Sequence, residues 1–127
     1  MQAIVIVFVG GGLGAVLRHL VNLGCARACG TAFPWGTLVV NAVGGFVMGL
    51  LAAWFALRAG EGWSQSSRLF LMTGVLGGFT TFSAFSLDAV LLWERGLIAL
   101  AAAYVVGSVV LSILGLVTGL AVVRTLS

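Results

Sequence analysis

The sequence has no lysine, one proline, one histidine and few charged side chains of either sign. Charged residues make up 7% of the 127 positions and hydrophobic residues 61%, whereas about a quarter of the residues in an ordinary soluble domain are charged. This composition excludes a soluble globular domain and predicts an integral membrane protein. No nucleophile lies beside a recognisable general base, so we expect a protein that is not an enzyme.

The few basic residues form no cluster. They stand singly along the chain at Arg18, Arg27, Arg58, Arg68, Arg95 and Arg124. A nucleic-acid-binding surface requires a basic patch or stripe, so this distribution argues against nucleic acid as a partner. No basic residue precedes the first apolar run and no clear A-x-A site follows it, so we expect this run to be a retained membrane span and not a signal peptide.

The only two cysteines, Cys25 and Cys29, are four residues apart and could meet on one helical face. They could be small apolar fillers or a metal-binding or redox pair. No histidine or acidic residue is near them in sequence to complete a metal site. The lack of a nearby co-ligand therefore favours the filler interpretation.

Four apolar stretches are long enough to cross the roughly 30 Å of hydrocarbon, which takes about 20 helical residues. They cover approximately 2–23, 33–57, 69–93 and 97–123. Short connections join them, so each span should run antiparallel to the one before. We predict an all-α membrane protein in which residues 1–127 form a single four-helix transmembrane domain.

Arginines on the two sides of the predicted bundle are nearly balanced. The side that holds both termini carries Arg58, Arg68 and Arg124, and the other carries Arg27 and Arg95, with Arg18 if it reaches the surface. Cytoplasmic loops normally have an excess of basic residues, which sets the orientation. Without that excess we expect the chain to insert both ways round and to form an antiparallel, dual-topology homodimer.

The third span contains GVLGGFTTFSAFS at 74–86, an unusual sequence for a membrane helix. Gly77 and Gly78 followed by Thr80 and Thr81 weaken the helix where no water can bind a released carbonyl. We expect the helix to be broken near Gly77 to Thr81. Exposed carbonyls there could hold a weakly charged cation such as Na⁺, or the segment could be a kink tolerated by hydroxyl bonds to the backbone.

Phe82 and Phe85 follow this segment and share a helical face. Phenylalanines at this spacing usually form part of a core. A phenyl ring also has a partly positive edge, so the pair could instead coordinate a small anion in a narrow pore.

Polar side chains recur at helical spacing on the first two spans. Thr37 and Asn41 lie on one face of the second span, where they could bond two helices together or line a polar path. Arg18, late in the first span, could extend to the interface or line a water-filled entrance for anions. We expect His19 to be an interfacial residue.

The fourth span carries three hydroxyl side chains in one stripe, at Tyr104, Ser108 and Ser112. Serines in membrane helices often bond only to their own backbone. A stripe three turns long with a tyrosine at its head also fits a polar track, and the spacing leaves both interpretations open.

Three segments together resemble the Fluc/CrcB family of fluoride channels: GLGAVLRH at 12–19, PWGTLVVNAVGGFVMG at 34–49 and GVLGGFTTFSAFSLD at 74–88. The resemblance implies four-helix subunits that assemble as dual-topology antiparallel homodimers with two separate pores. It also implies a bacterial inner membrane location and passive exit of fluoride from the cytoplasm.

The resemblance also implies residue roles. A structural Na⁺ at the dimer interface would bind the backbone carbonyls of Gly77 and Thr80 from both subunits. The pore would be lined by Phe82, Phe85, Asn41, Tyr104, Ser108 and Ser112, with hydroxyls from Thr37 and Thr81 and with Arg18 in the vestibule. Three positions depart from the family pattern, namely Ala84, Asp88 and His19, where threonine, glutamate and tyrosine are common.

The main alternative is a small dual-topology, proton-coupled multidrug exporter. Such a pump needs a carboxylate embedded in the membrane to exchange protons for drug. The first, second and fourth spans have no acidic residue, and Asp88 and Glu94 lie toward the end of the third. A purely structural membrane subunit would not need a broken helix opposite a hydroxyl stripe.

The expected dual topology can be tested by fusing reporter domains to the C-terminus. We expect reporters for both sides of the membrane to give signal, because the arginine count gives the chain little orientation bias. A C-terminus found on one side only would contradict dual topology.

Overall fold

A computed structural model describes residues 1–57 and 65–127, and every regular element in these ranges is helical. The elements are α1 (Gln2–Cys29), α2 (Trp35–Leu57), α3 (Gln65–Arg68), a π-helix (Leu69–Leu76), α4 (Gly77–Phe79), α5 (Phe82–Glu94) and α6 (Ile98–Leu126).

Four helical segments are long and apolar enough to cross a membrane. They are Gln2–Cys29, Trp35–Leu57, Gln65–Glu94 and Ile98–Leu126. Large apolar side chains such as Phe8, which is 79% exposed, face outward, as expected where lipid replaces water. The four predicted spans are confirmed, and the chain is a multi-pass membrane protein.

The prediction of orientation rests partly on Arg58, which lies in 58–64, outside the described residues. The structure places Arg27 in the last turn of α1 and Arg124 in the last turn of α6. Positive charge at a helix C-terminus interacts favourably with the helix dipole. These two arginines therefore have a local electrostatic role at the ends of their helices.

Glycine permits two of the turns between helices. Gly30, directly after α1, has φ 80°, and Gly96, between α5 and α6, has φ 78°. These left-handed conformations are strained for other residues. Gly96 allows α6 to fold back against α5 within three residues.

Close helix contacts depend on small residues. A Cβ on Gly14 of α1 would overlap the carbonyl oxygen of Val75 in the π-helix, and one on Gly49 of α2 would overlap that of Leu116 in α6. In lipid, where the hydrophobic effect does not drive helices together, such backbone approach supplies the van der Waals contact. The main pairings are therefore α1 with the π-helix and α4, and α2 with α6.

The backbone leaves helical geometry at two residues inside Gln65–Glu94. Thr80 has φ −83° and ψ 159°, and Thr81 has φ −154° and ψ 124°, so both are extended. Gly77, where the sequence appeared weakest, stays helical at φ −61° and ψ −39°. Gly78 packs on the carbonyl oxygen of Gly11 in α1, a contact that holds this part of the segment in place.

α5 packs on α6 through a small aromatic and aliphatic core. Phe85, Leu92, Ala101 and Tyr104 are buried there, and Phe33 packs against them from the segment before α2. This core fixes one of the two predicted pore phenylalanines and the tyrosine of the predicted polar track.

Candidate functional site

A groove of about 360 Å³ lies between α2, the Thr80–Thr81 step, α5 and α6. We call it the polar groove. Seven residues singled out from the sequence line it: Asn41, Thr80, Thr81, Phe82, Phe85, Ser108 and Ser112. No carboxylate and no arginine is among the described residues that line it. The groove therefore presents amide, hydroxyl and aromatic groups in an otherwise apolar wall.

Asn41 binds the extended backbone at Thr81 with both ends of its amide. Its Nδ2 donates to the carbonyl oxygen of Thr81 at 2.9 Å, and its Oδ1 accepts from the backbone N–H of Thr81 at 2.9 Å. This satisfies two backbone groups that a continuous helix would have paired internally. Asn41 thus connects α2 to the start of α5.

The hydroxyls of Thr80 and Thr81 also form hydrogen bonds with backbone groups. Thr80 Oγ1 donates to the carbonyl oxygen of Leu76 at 2.9 Å. Thr81 Oγ1 accepts from the N–H of Ala84 at 3.2 Å, so Thr81 is the N-cap of α5. Ser83 Oγ lies 3.3 Å from the same Thr81 oxygen. The Thr81 hydroxyl thus sets where α5 begins.

Phe82 and Phe85 are in contact but differ in how much of each ring is exposed. The ring centroids of Phe82 and Phe85 are 5.5 Å apart, with 56° between the ring planes. Phe85 is 8% exposed, whereas Phe82 is 77% exposed. Both rings line the polar groove, but Phe85 is packed within the protein whereas most of the Phe82 ring is uncovered in this chain.

Tyr104 lies beside the groove, behind Phe85, with which its ring makes a tilted contact at 5.3 Å. It is 1% exposed. Its hydroxyl donates to Asp88 Oδ2 at 3.1 Å and also interacts with the side chain of Thr37. The phenol is therefore held between α2, α5 and α6.

Sequence reasoning did not identify this Asp88–Tyr104 pair. An acidic residue within a membrane span needs a partner. This requirement could have predicted that Asp88 has one, but it does not identify Tyr104 as that partner. Gly44, Gly45 and Met48 also line the groove and were not predicted as site residues. They follow Asn41 by three, four and seven positions, a helical spacing that could have placed them on the same face.

Ser108 presents a hydroxyl with an unsatisfied hydrogen bond. The residue is 4% exposed, and its Oγ has no hydrogen-bond partner within the described part of the chain. Leaving such a group unpaired costs about 1–3 kcal/mol. A ligand in the polar groove that accepts a hydrogen bond from Ser108 would recover this energy.

Other predicted site residues lie away from the lining. Arg18 is half-buried on α1, and Gly77 is exposed in α4; neither lines the polar groove. Cys25 and Cys29 are free thiols. Within residues 1–57 and 65–127 no three His, Cys, Asp or Glu side chains come together as a metal-binding group.

The groove can therefore offer hydrogen-bond donors and ring edges to a small guest. A hydroxyl or an amide N–H binds an anion, and the partly positive edge of a phenyl ring attracts one. The described residues of the lining offer no carboxylate that could carry protons.

Comparison with known proteins identifies the relatives of this chain. Residues 5–120 match the model of the family described as CrcB-like protein, Camphor Resistance (CrcB). A protein of Nitrobacter hamburgensis named fluoride-specific ion channel FluC 2 is 62% identical over 122 residues, covering 96% of this chain and 97% of the relative.

Two further relatives bear the name fluoride-specific ion channel FluC. The protein of Rhodopseudomonas palustris strain BisB5 is 58% identical over 96% of this chain and 97% of its own length. That of Granulibacter bethesdensis is 54% identical over 99% and 98%, respectively. These relatives are named as ion channels and not as enzymes. With a family match over most of its length and relatives this similar along their full length, the chain belongs to the CrcB family, also called Fluc.

Proposed function

We propose that this protein is a fluoride-selective channel through which fluoride leaves the cytoplasm passively. The observation that carries the proposal is the polar groove, which combines hydroxyl and amide groups with phenyl edges and has no carboxylate among its described lining residues. The names of the relatives as fluoride-specific ion channels support the same function. Passive exit requires no coupling ion and no energy source.

In a narrow pore fluoride would lose much of its hydration, so the wall would have to replace water. Ser108 supplies an unpaired hydroxyl, and Ser112 lies one turn further along α6 in the same lining. The edges of Phe82 and Phe85 add weak electrostatic attraction without a fixed charge. A site of this kind binds an anion yet releases it, which conduction requires.

The remaining proposed pore residues surround this path. Asn41 and Thr81 shape its wall through the hydrogen bonds between them. Tyr104 and Thr37 support it from behind Phe85. Arg18 on α1 is assigned to the vestibule, where a positive charge raises the local anion concentration.

We further propose that the working unit is an antiparallel, dual-topology homodimer with two pores in the bacterial inner membrane. The exposed ring of Phe82 supports this, because a second copy would cover it and complete the wall of an open groove. The balanced arginines support copies in opposite orientations. A two-fold axis in the membrane plane then generates two equivalent pores.

A structural Na⁺ at the dimer interface belongs to the same proposal, with the third span acting as a helix broken next to Thr80. Its ligands would be the backbone carbonyls of Gly77 and Thr80 from both subunits. Carbonyl oxygens suit hard cations, and the described residues form no acidic or thiolate cluster that would favour a transition metal. When bound, the ion would supply positive charge to carbonyls at the end of α4.

The proton-coupled exporter is not favoured. Asp88 bonds the Tyr104 hydroxyl and is not among the described residues that line the groove. A drug pump needs its carboxylate accessible to substrate and proton.

Fluoride and chloride efflux from proteoliposomes loaded with both ions tests the function. We expect fluoride to leave and chloride to be retained, as read by ion-selective electrodes at neutral pH, with protein-free liposomes as the control. Release of both ions equally, or of neither, would count against a fluoride channel. Release that requires a proton gradient would favour the exporter.

Replacing Phe82 or Phe85 by isoleucine tests the pore residues. Isoleucine keeps apolar bulk but has no partly positive ring edge, so we expect fluoride efflux to fall to the level of protein-free liposomes. The dimer should remain assembled in size-exclusion chromatography. The matched control is Phe8→Ile on the outer face of α1, which should conduct normally, and normal efflux from both groove variants would remove them from the pore.

Exhaustive removal of Na⁺ tests the cation. We expect fluoride efflux to decline after dialysis into Na⁺-free buffer and to recover when Na⁺ is returned, because released carbonyls in the membrane need a partner. Efflux that is unchanged without Na⁺, together with no ion retained in a crystal structure, would defeat the sodium assignment.

A further inference from the structure

The extended residues Thr80 and Thr81 change the pairing of backbone groups on both sides of them. In a continuous α-helix the N–H of residue i bonds the carbonyl of residue i−4. The N–H of Thr81 would then bond the Gly77 carbonyl, and the N–H of Ala84 would bond the Thr80 carbonyl. Here the Thr81 N–H bonds Asn41 Oδ1 at 2.9 Å, and the Ala84 N–H bonds Thr81 Oγ1 at 3.2 Å.

The side chains of Asn41 and Thr81 thus accept hydrogen bonds from the two N–H groups that would otherwise bond the carbonyls of Gly77 and Thr80. We infer that Asn41 and Thr81 are positioning residues for the cation site, since they leave these two carbonyl oxygens available to a monovalent cation. The inference rests on the proposed function, which assigns Na⁺ to the same two carbonyls. It adds a structural reason why these two oxygens can be ligands.

Asn41 suits this role because its amide both donates and accepts. Nδ2 holds the Thr81 carbonyl at 2.9 Å while Oδ1 holds the Thr81 N–H, so the extended geometry is fixed from two sides. An ionised aspartate would accept but could not donate, and leucine would do neither. Without the amide, the Thr81 N–H is free to return to Gly77.

Thr81 acts on the second carbonyl through its N-cap. The Thr81 hydroxyl oxygen accepts the hydrogen bond of the Ala84 N–H. This N–H therefore does not bond the Thr80 carbonyl, as it would in a continuous helix. Serine retains this acceptor, whereas valine has the same shape without it. The pair of substitutions therefore separates the hydroxyl from the size of the side chain.

Asn41 and Thr81 also line the polar groove, so the cation site and the groove share a wall. A structural change at the two carbonyls is transmitted to the groove through the same hydrogen bonds. Asn41 therefore affects conduction through the backbone it holds.

The test measures thermal unfolding of the purified dimer against Na⁺ concentration, with choline replacing Na⁺ at constant ionic strength. A cation that binds only the folded protein raises the unfolding temperature as its concentration rises. The variants are Asn41→Leu, Thr81→Val and the conservative Thr81→Ser. The matched control is Thr118→Val, because the Thr118 hydroxyl donates only to Leu114 in its own helix, at 2.7 Å.

We expect Asn41→Leu and Thr81→Val to raise the Na⁺ concentration at half-maximal stabilisation by roughly 10- to 100-fold, the usual loss when a residue that orients a metal ligand is removed. Thr81→Ser and Thr118→Val should follow the wild type. If Asn41→Leu does not fold, Thr81→Val decides, since it changes one hydroxyl at constant size.

Fluoride efflux from the same preparations separates this inference from the proposed function. A wild-type Na⁺ midpoint in both variants would overturn the inference, even if efflux were lost, and would show that the two side chains act on the anion alone. Unfolding of the wild type that does not depend on Na⁺ would also overturn it. Absence of fluoride efflux from the wild type, with the midpoint shift intact, would overturn the function and support the inference.

Discussion

The pair of hydrogen bonds between Asn41 and the backbone of Thr81 is the interaction on which the rest of this structure depends. Hydrocarbon supplies no water to pair an N–H or a carbonyl that has left a helix. An extended residue inside a membrane span is therefore stable only if another part of the protein binds it. Asn41 does so from α2, and this fixes the start of α5, the direction of Phe82 and Phe85, and the wall of the polar groove.

Small residues play the complementary part elsewhere. Gly14 brings α1 against the π-helix, and Gly49 brings α2 against α6. The groove lies where these two closely packed pairs of helices meet less closely. Polar contacts also lie along that boundary, where Tyr104 bonds Asp88 and Asn41 bonds Thr81. Glycine thus allows the closest backbone contacts, and hydroxyl, amide and aromatic side chains share the groove wall with Gly44 and Gly45.

Much of this could be predicted from the sequence, because membrane spans follow from hydropathy and groove residues from helical spacing. The four spans and the shared faces of Asn41, Phe82, Phe85, Ser108 and Ser112 are local properties. The hydrogen-bond partners could not be predicted, because they are not local in sequence. Asn41 and Thr81 are 40 positions apart, and Tyr104 and Asp88 lie on different helices. The predicted first span is also shorter than α1, which continues to Cys29. Hydropathy indicates which residues lie in hydrocarbon, whereas helical hydrogen bonding can continue beyond it. Roles in conduction and cation binding stay predictions.

The separation of 40 residues between Asn41 and Thr81 also bears on how the protein is made. Nothing in the third span alone can satisfy an extended Thr81, whereas a continuous helix satisfies its own backbone during insertion. The span can therefore enter the bilayer straight and change shape only when α2 docks beside it. The non-helical step is then a product of helix assembly within the membrane, and a third span separated from α2 would have no means of forming it.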